Sequence, residues 1–490
     1  MTVRADPESK ITAEFSARPP AKSFIPVAVI LILSAITIAI MTMDTPREVK
    51  GAVVVVFMLV LVFGGIPVGV AMGVAGAVGI WVLVGTRPLT GVLSEIGYTS
   101  AASTTLSVLP MFIFMGLLLW RSGITSQLYT AARRWTGWLP GGLAVTTNLA
   151  GAGLGAASGS TIGIAYAVGR IGIPEMLKYG YDKRLATGSV ISAGTIGQLI
   201  PPSILLVVYA GIAEIPVGPQ LLAGIIPGII LTVAYVLLTV GVAVAKPSFA
   251  PRAVGESGSW RERWTSLISI WPIYGLVTLI IGGMTGGFFT PTEAGAVGAL
   301  AALIYCVHRL GMKDGFHAIV VALRDTLVSV GSIMFMLLGA DILNRALALS
   351  GAAQWFATAL SSAGLSAITF MLVLTVIYLV LGTFMDPIPM MLLTVPLVLP
   401  TAVSLGVNPL VLGVFLVLLG EIAIMSPPVG LLIFVVHRLA QDPLVRRDAK
   451  ISLGDVTWGA IWYIPAALGV VLLIIFVPWL VEILPSLAAV

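Results

Sequence analysis

Two short stretches hold residue types whose spacing can support chemistry. They are Gly194-Thr-Ile-Gly-Gln-Leu-Ile-Pro-Pro-Ser203 and Gly420-Glu-Ile-Ala-Ile-Met-Ser-Pro-Pro-Val429. Each is apolar and broken by a Pro-Pro pair. Proline has no N–H to donate, and the residue before each proline is pushed out of the helical region. A helix interrupted inside apolar sequence leaves carbonyl oxygens without intrahelical partners, and these suit a desolvated Na⁺. Gly197, Ile200 and Pro201 offer such oxygens at the first break, with Ser158 and Ser160 of Ser158-Gly-Ser-Thr161 beside them. Ala423, Ser426 and Pro427 form the corresponding set at the second, with Asp386 of Met385-Asp-Pro-Ile-Pro389 nearby. Two or more Na⁺ ions are therefore expected. Half-helix N-termini at these places carry partial positive charge, which favours an anionic substrate such as a carboxylate. Ser160, Thr161, Ser203 and Asp386 are the residues expected to meet it.

Asp386 and Glu421 are the charges most clearly inside apolar sequence, where an ionisable group is costly and by default functional. The structural alternative is that Asp386 caps a helix and Glu421 pairs with a scaffold residue. Other chemistries find little support. Cys306 is the single cysteine, and His308, His317 and His437 are scattered without ligand spacing, which argues against a structural or catalytic metal. The apolar segments hold no nucleophile–base pair, so the chain is not expected to be an enzyme. No Gly-x-x-x-x-Gly-Lys-Ser/Thr is present, so energy must come from an ion gradient or a partner.

The elements that position these residues follow from composition. The 490 residues are 58% hydrophobic and 10% charged, against roughly 25% charged in a soluble domain. This implies an all-α polytopic membrane protein in contact with a lipid bilayer. The net charge of +5 comes from Lys and Arg in short clusters between apolar runs, as in loops that orient a membrane protein, so no nucleic-acid partner is expected.

Residues 1–50 read as a polar, cytoplasmic tail and a membrane helix at Phe24–Met43, with Arg4, Lys10, Arg18 and Lys22 before it. No small-residue cleavage site follows that helix, so it is expected to stay as an anchor. Residues 51–245 form a first unit, with a re-entrant hairpin near 141–169 and a broken helix near 186–214. One long helix with a Ser-Gly packing face is the alternative to that hairpin. Residues 246–266 are a hydrophilic connecting loop carrying Arg252, Trp260 and Trp264. Residues 267–490 form a second unit, with a hairpin near 367–403, a broken helix near 407–441 and a C-terminal membrane helix. The Pro-Pro pairs at 201 and 427 stand 226 residues apart, and the same offset carries Ile173-Pro174 onto Leu399-Pro400 and Ser160 onto Asp386. Matching interruptions in two halves point to inverted repeats and to a secondary transporter's binding site.

Taken together, Ser158-Gly-Ser-Thr161, Ile173-Pro174, Gly180-Tyr181, Ile200-Pro-Pro-Ser203, Phe289-Thr-Pro-Thr-Glu-Ala294 and Ser426-Pro-Pro-Val-Gly430 resemble the large membrane subunit of TRAP (tripartite ATP-independent periplasmic) transporters, from about residue 51 to the C-terminus. The resemblance implies an elevator-type, sodium-driven importer of organic acids in a bacterial inner membrane. It also implies two partners, a small four-helix membrane subunit and a periplasmic substrate-binding protein. The family pattern has Ser where Thr161 stands, and Gly and Thr where Ala423 and Ser426 stand; both hydroxyls survive, whereas Ala423 restricts the backbone. The helix at Phe24–Met43 is extra relative to a minimal large subunit. The alternative reading is a stand-alone sodium/dicarboxylate elevator carrier without a soluble receptor.

Overall fold

The computed structural model describes residues 24–101, 106–251, 259–352, 354–355, 358, 364 and 366–488. Arg4, Lys10, Arg18, Lys22 and Arg252, and the side chain of Ser158, lie outside the described residues. Among the described residues every regular element is helical. This is the expected outcome for backbone in lipid, where each N–H and C=O needs an internal partner.

The chain divides into two compact units. The smaller comprises Met1–Ser94 and Gly339–Ala352. Its helices are α1 (Phe24–Thr42), α2 (Arg47–Phe63), α3 (Val68–Val84) and the start of α4 (Thr86–Ala101). Pro46 and Pro67 directly precede α2 and α3, so Gly64-Gly-Ile-Pro67 splits the long apolar run over residues 51–84. The helix α4 was not expected.

The larger unit comprises Glu95–Leu338 and Ala353–Val490. It begins with α5 (Val108–Arg121) and α6 (Ile124–Thr136), bent at 70° to one another. Then come α7 (Gly142–Ser158), α8 (Thr161–Lys178), α9 (Lys183–Ile196), α10 (Ile204–Ile212) and the long α11 (Val217–Ala245). Where sequence reading expected only loop, α12 (Trp260–Ser269) forms before α13 (Trp271–Thr285). Its start is fixed by a capping box between Ser259 and Glu262. Trp260 and Trp264 meet the Trp135 ring edge-on at 6.3 and 5.8 Å, which ties α12 to α6.

Thr290 and Glu293 exchange hydrogen bonds at the head of α14 (Pro291–Ser350), a 60-residue run interrupted at Gly311 (φ 81°, ψ 168°). The remaining helices are α15 (Ala367–Gly382), α16 (Pro387–Ser404), α17 (Pro409–Ile424), α18 (Leu431–Ala440), the single turn α19 (Pro443–Arg446), α20 (Leu453–Phe476) and α21 (Trp479–Ala488). By length and composition α11, α14, α16 and α20 can each cross a membrane, and α5–α6 and α12–α13 qualify as interrupted spans.

Two packing features govern the core of this unit. α9 and α20 touch backbone to backbone: a Cβ on Gly188 would lie 2.4 Å from the Gly459 carbonyl oxygen, and one on Gly459 would lie 2.3 Å from that of Arg184. Lys183 Nζ reaches Asp455 Oδ2 at 2.8 Å at the same end, where Ser452 and Asp455 cap α20. α7 meets the end of α9 as closely, since a Cβ on Gly155 would lie 2.3 Å from the Cα of Gly197. Small residues permit this approach, and in lipid close van der Waals contact replaces the hydrophobic drive between helices.

Candidate functional site

The first hairpin is α7–α8. Gly159 turns the chain with φ 56°, a left-handed conformation that a Cβ would disfavour. Ser160 follows in extended geometry and its Oγ accepts the Gly163 N–H at 3.3 Å, capping α8. The first break separates α9 from α10 across Gly197–Ser203, and Ser203 Oγ accepts the Leu206 N–H at 3.2 Å, capping α10. Both Pro201–Pro202 and Pro427–Pro428 are cis.

The second hairpin is α15–α16. Asp386 Oδ1 accepts the Ile388 N–H at 3.2 Å and caps α16. The structural alternative for Asp386 is therefore realised, on a residue that also faces the cavity described below. The second break separates α17 from α18. There the Ser426 hydroxyl donates to the Ile422 carbonyl at 2.7 Å, and Pro427 is exposed. Residue 423 sits with its methyl over Gly382: a Cβ on Gly382 would lie 2.1 Å from that of Ala423. The 226-residue offset extends to caps, since Asp182 at the head of α9 and Asn408 at the head of α17 both accept the N–H two residues on.

A cavity of about 690 Å³ opens among these elements. The first turns of three helices line it: Thr161, Ile162 and Gly163 of α8, Ile204 and Leu205 of α10, and Pro387 and Ile388 of α16. Ile113 and Gly116 of α5 and Ser329 and Ser332 of α14 complete the wall. Glu421 of α17 also lines it, only 1% exposed, and both of its carboxylate oxygens stand 2.9 Å from the Thr161 hydroxyl, which donates to them. Among the described residues no lysine, arginine or histidine lines the cavity.

Of the residues singled out in the sequence, the structure brings Ser160, Thr161, Asp386 and Glu421 to this one cavity. Gly197, Ile200, Pro201, Ser203, Ala423, Ser426 and Pro427 lie at the two breaks and are not among its lining residues. Gln198, Ser329 and Ser332 line it and were not anticipated. A glutamine inside the first break was the one available signal; two serines in a long apolar helix read as packing.

Comparison with known proteins now bears on this arrangement. Residues 54–480 match the family described as "Tripartite ATP-independent periplasmic transporter, DctM component". A C4-dicarboxylate TRAP transporter large permease protein DctM from Vibrio cholerae is 31% identical over 89% of this chain and 98% of its own length. One from Pseudomonas aeruginosa is 34% identical over 69% of this chain and 78% of its own. The fold also resembles the crystal structure of the YdaH transporter of Alcanivorax borkumensis, with a TM-score of 0.55 at 14% identity, covering 90% of this chain and 98% of that one. A family match over most of the chain, joined to paired hairpins and broken helices around one cavity, establishes a multi-pass membrane permease, not an enzyme: the chain belongs to the DctM family, the large permease component of tripartite ATP-independent periplasmic transporters.

Proposed function

We propose that this permease imports a small organic acid anion across the bacterial inner membrane, driven by a sodium gradient. It takes the anion from a periplasmic substrate-binding protein and works beside a small four-helix membrane subunit. The observation that carries this reading is the convergence of three helix first turns, from α8, α10 and α16, on one cavity. Each helix N-terminus presents free N–H groups and about half a positive charge, so three together favour an anion. A volume of about 690 Å³ suits a small metabolite. The named relatives above carry C4-dicarboxylates, which have this chemistry.

Cations have a reason to enter as well. Asp386 and Glu421 bring negative charge to the wall, where no basic side chain among the described residues offsets it. Sodium ions held at the breaks by Gly197, Ile200 and Pro201 with Ser158 and Ser160, and by Ala423, Ser426 and Pro427, supply part of the compensation. Ordering both hairpin tips around sodium creates the substrate site bounded by Ser160, Thr161, Asp386 and the cap Ser203. The paired caps at the 226-residue offset support a duplicated, inverted architecture, in which hairpins and broken helices slide as an elevator against flanking spans.

The test is uptake into proteoliposomes holding this chain and its small subunit under an inward sodium gradient, with and without the periplasmic binding protein. Uptake requiring both sodium and the receptor is the expected result. Uptake with sodium alone makes the chain a stand-alone carrier, and uptake indifferent to sodium removes the coupling.

A further inference from the structure

We propose that Glu421, Thr161 and Gln198 hold a third cation, separate from the two expected at the helix breaks; the inference rests on the sodium-coupled reading above. Charge is the first argument. The cavity presents two carboxylates and no lysine, arginine or histidine, and neither Asp386 nor Glu421 forms an ion pair among the described residues. A buried carboxylate stays ionised in a low-dielectric surrounding only where a positive charge compensates it.

Ligand chemistry is the second, independent argument. Gln198 lines the same cavity, is only 7% exposed, and its side-chain Oε1 is buried with no hydrogen-bond partner among the described residues. Buried amide oxygens in folded proteins are almost always paired, so this one needs a partner. A cation supplies it. Thr161 donates its single proton to Glu421 and keeps lone pairs of its own, so its oxygen also remains a ligand. Carboxylate, hydroxyl and amide oxygens form the hard donor set that such cations take.

The placement explains what the ion would do. Thr161 belongs to the tip of the first hairpin, Gln198 to the first break and Glu421 to the helix leading into the second break. One cation held by all three ties both halves of the cavity together before the anion arrives. Gly197, Ile200, Pro201, Ala423, Ser426 and Pro427 lie outside the cavity lining, whereas Ser160 lines it, so Glu421 and Gln198 are the positions that distinguish the third site from the break sites.

The experiment uses the purified chain without organic acid or receptor. Thermal unfolding is followed as NaCl replaces choline chloride at constant ionic strength. In wild type, sodium stabilises the protein cooperatively. Glu421→Gln keeps an acceptor for Thr161 and removes the charge, while Gln198→Met removes the amide oxygen at similar size. Each is expected to elute as a monodisperse protein, to raise the half-saturating sodium concentration about tenfold or more, and to lower the apparent cooperativity. An unchanged sodium midpoint and cooperativity in both variants overturns the third site and leaves sodium coupling intact. A wild-type protein that sodium does not stabilise overturns the coupling itself.

Discussion

At the scale of single residues, two side chains do double duty as helix caps and as candidate ligands, and substitution can separate the roles. Asp386 caps α16 and faces the cavity. Asparagine caps as well as aspartate, whereas alanine forfeits about 1 kcal/mol. Asp386→Asn should therefore keep wild-type thermal stability while uptake falls and its sodium dependence weakens, whereas Asp386→Ala should lose both stability and uptake. Ser160→Ala should likewise lower uptake and its sodium dependence; a sodium response unchanged in both Ser160→Ala and Asp386→Ala removes these residues from the site. Thr161→Val leaves the Glu421 carboxylate without its only hydrogen-bond donor among the described residues, a cost of about 1–3 kcal/mol that a melting curve will register. Legibility at this scale followed residue type. Ser160 and Asp386 stood out because hydroxyls and charges are rare in apolar sequence, while Gln198 did not because an amide there reads as packing. The Thr161–Glu421 contact joins residues 260 apart, and no local pattern carries it.

At the scale of elements, the Pro-Pro breaks were readable because proline ends a helix wherever it falls. The hairpin turn at Gly159–Ser160 was readable from small and polar residues between apolar flanks. α12 was not, because its Trp and Arg content resembles an interfacial loop, and only the Ser259–Glu262 capping box announces a helix. The kink of α14 rests on the backbone of Gly311, which looks like any other glycine in a membrane helix. One element-level contact sets how closely α15 and α17 pack. The methyl of Ala423 occupies the space that a Cβ on Gly382 would need. Gly382→Ala should destabilise the protein by about 1–3 kcal/mol through overpacking. Adding Ala423→Gly should restore most of that loss, and a double-mutant cycle on thermal unfolding measures the coupling. Additive effects would mean that α15 and α17 relax apart at no cost.

At the scale of the whole molecule, composition pointed to a polytopic helical protein, and the order of its motifs pointed to the family that the comparisons show. The cavity was not legible, since it depends on α5 and α14 supplying a wall to first turns from three other helices. The contact between α9 and α20 has a mechanical consequence for the same reason. Two helices whose backbones touch at Gly188 and Gly459, and whose ends are joined through Lys183 and Asp455, cannot separate without opening a void. If the first broken helix travels across the membrane, α20 is freight on the same carriage. Its outward side chains Trp458, Leu472 and Phe476 then have to be drawn through whatever surrounds them. Drag of that kind is set by the lipid and not by the ligands. Uptake rates should therefore fall as acyl chains are made longer or more ordered, while sodium midpoints stay fixed, making the bilayer itself a governor on the speed of this transporter.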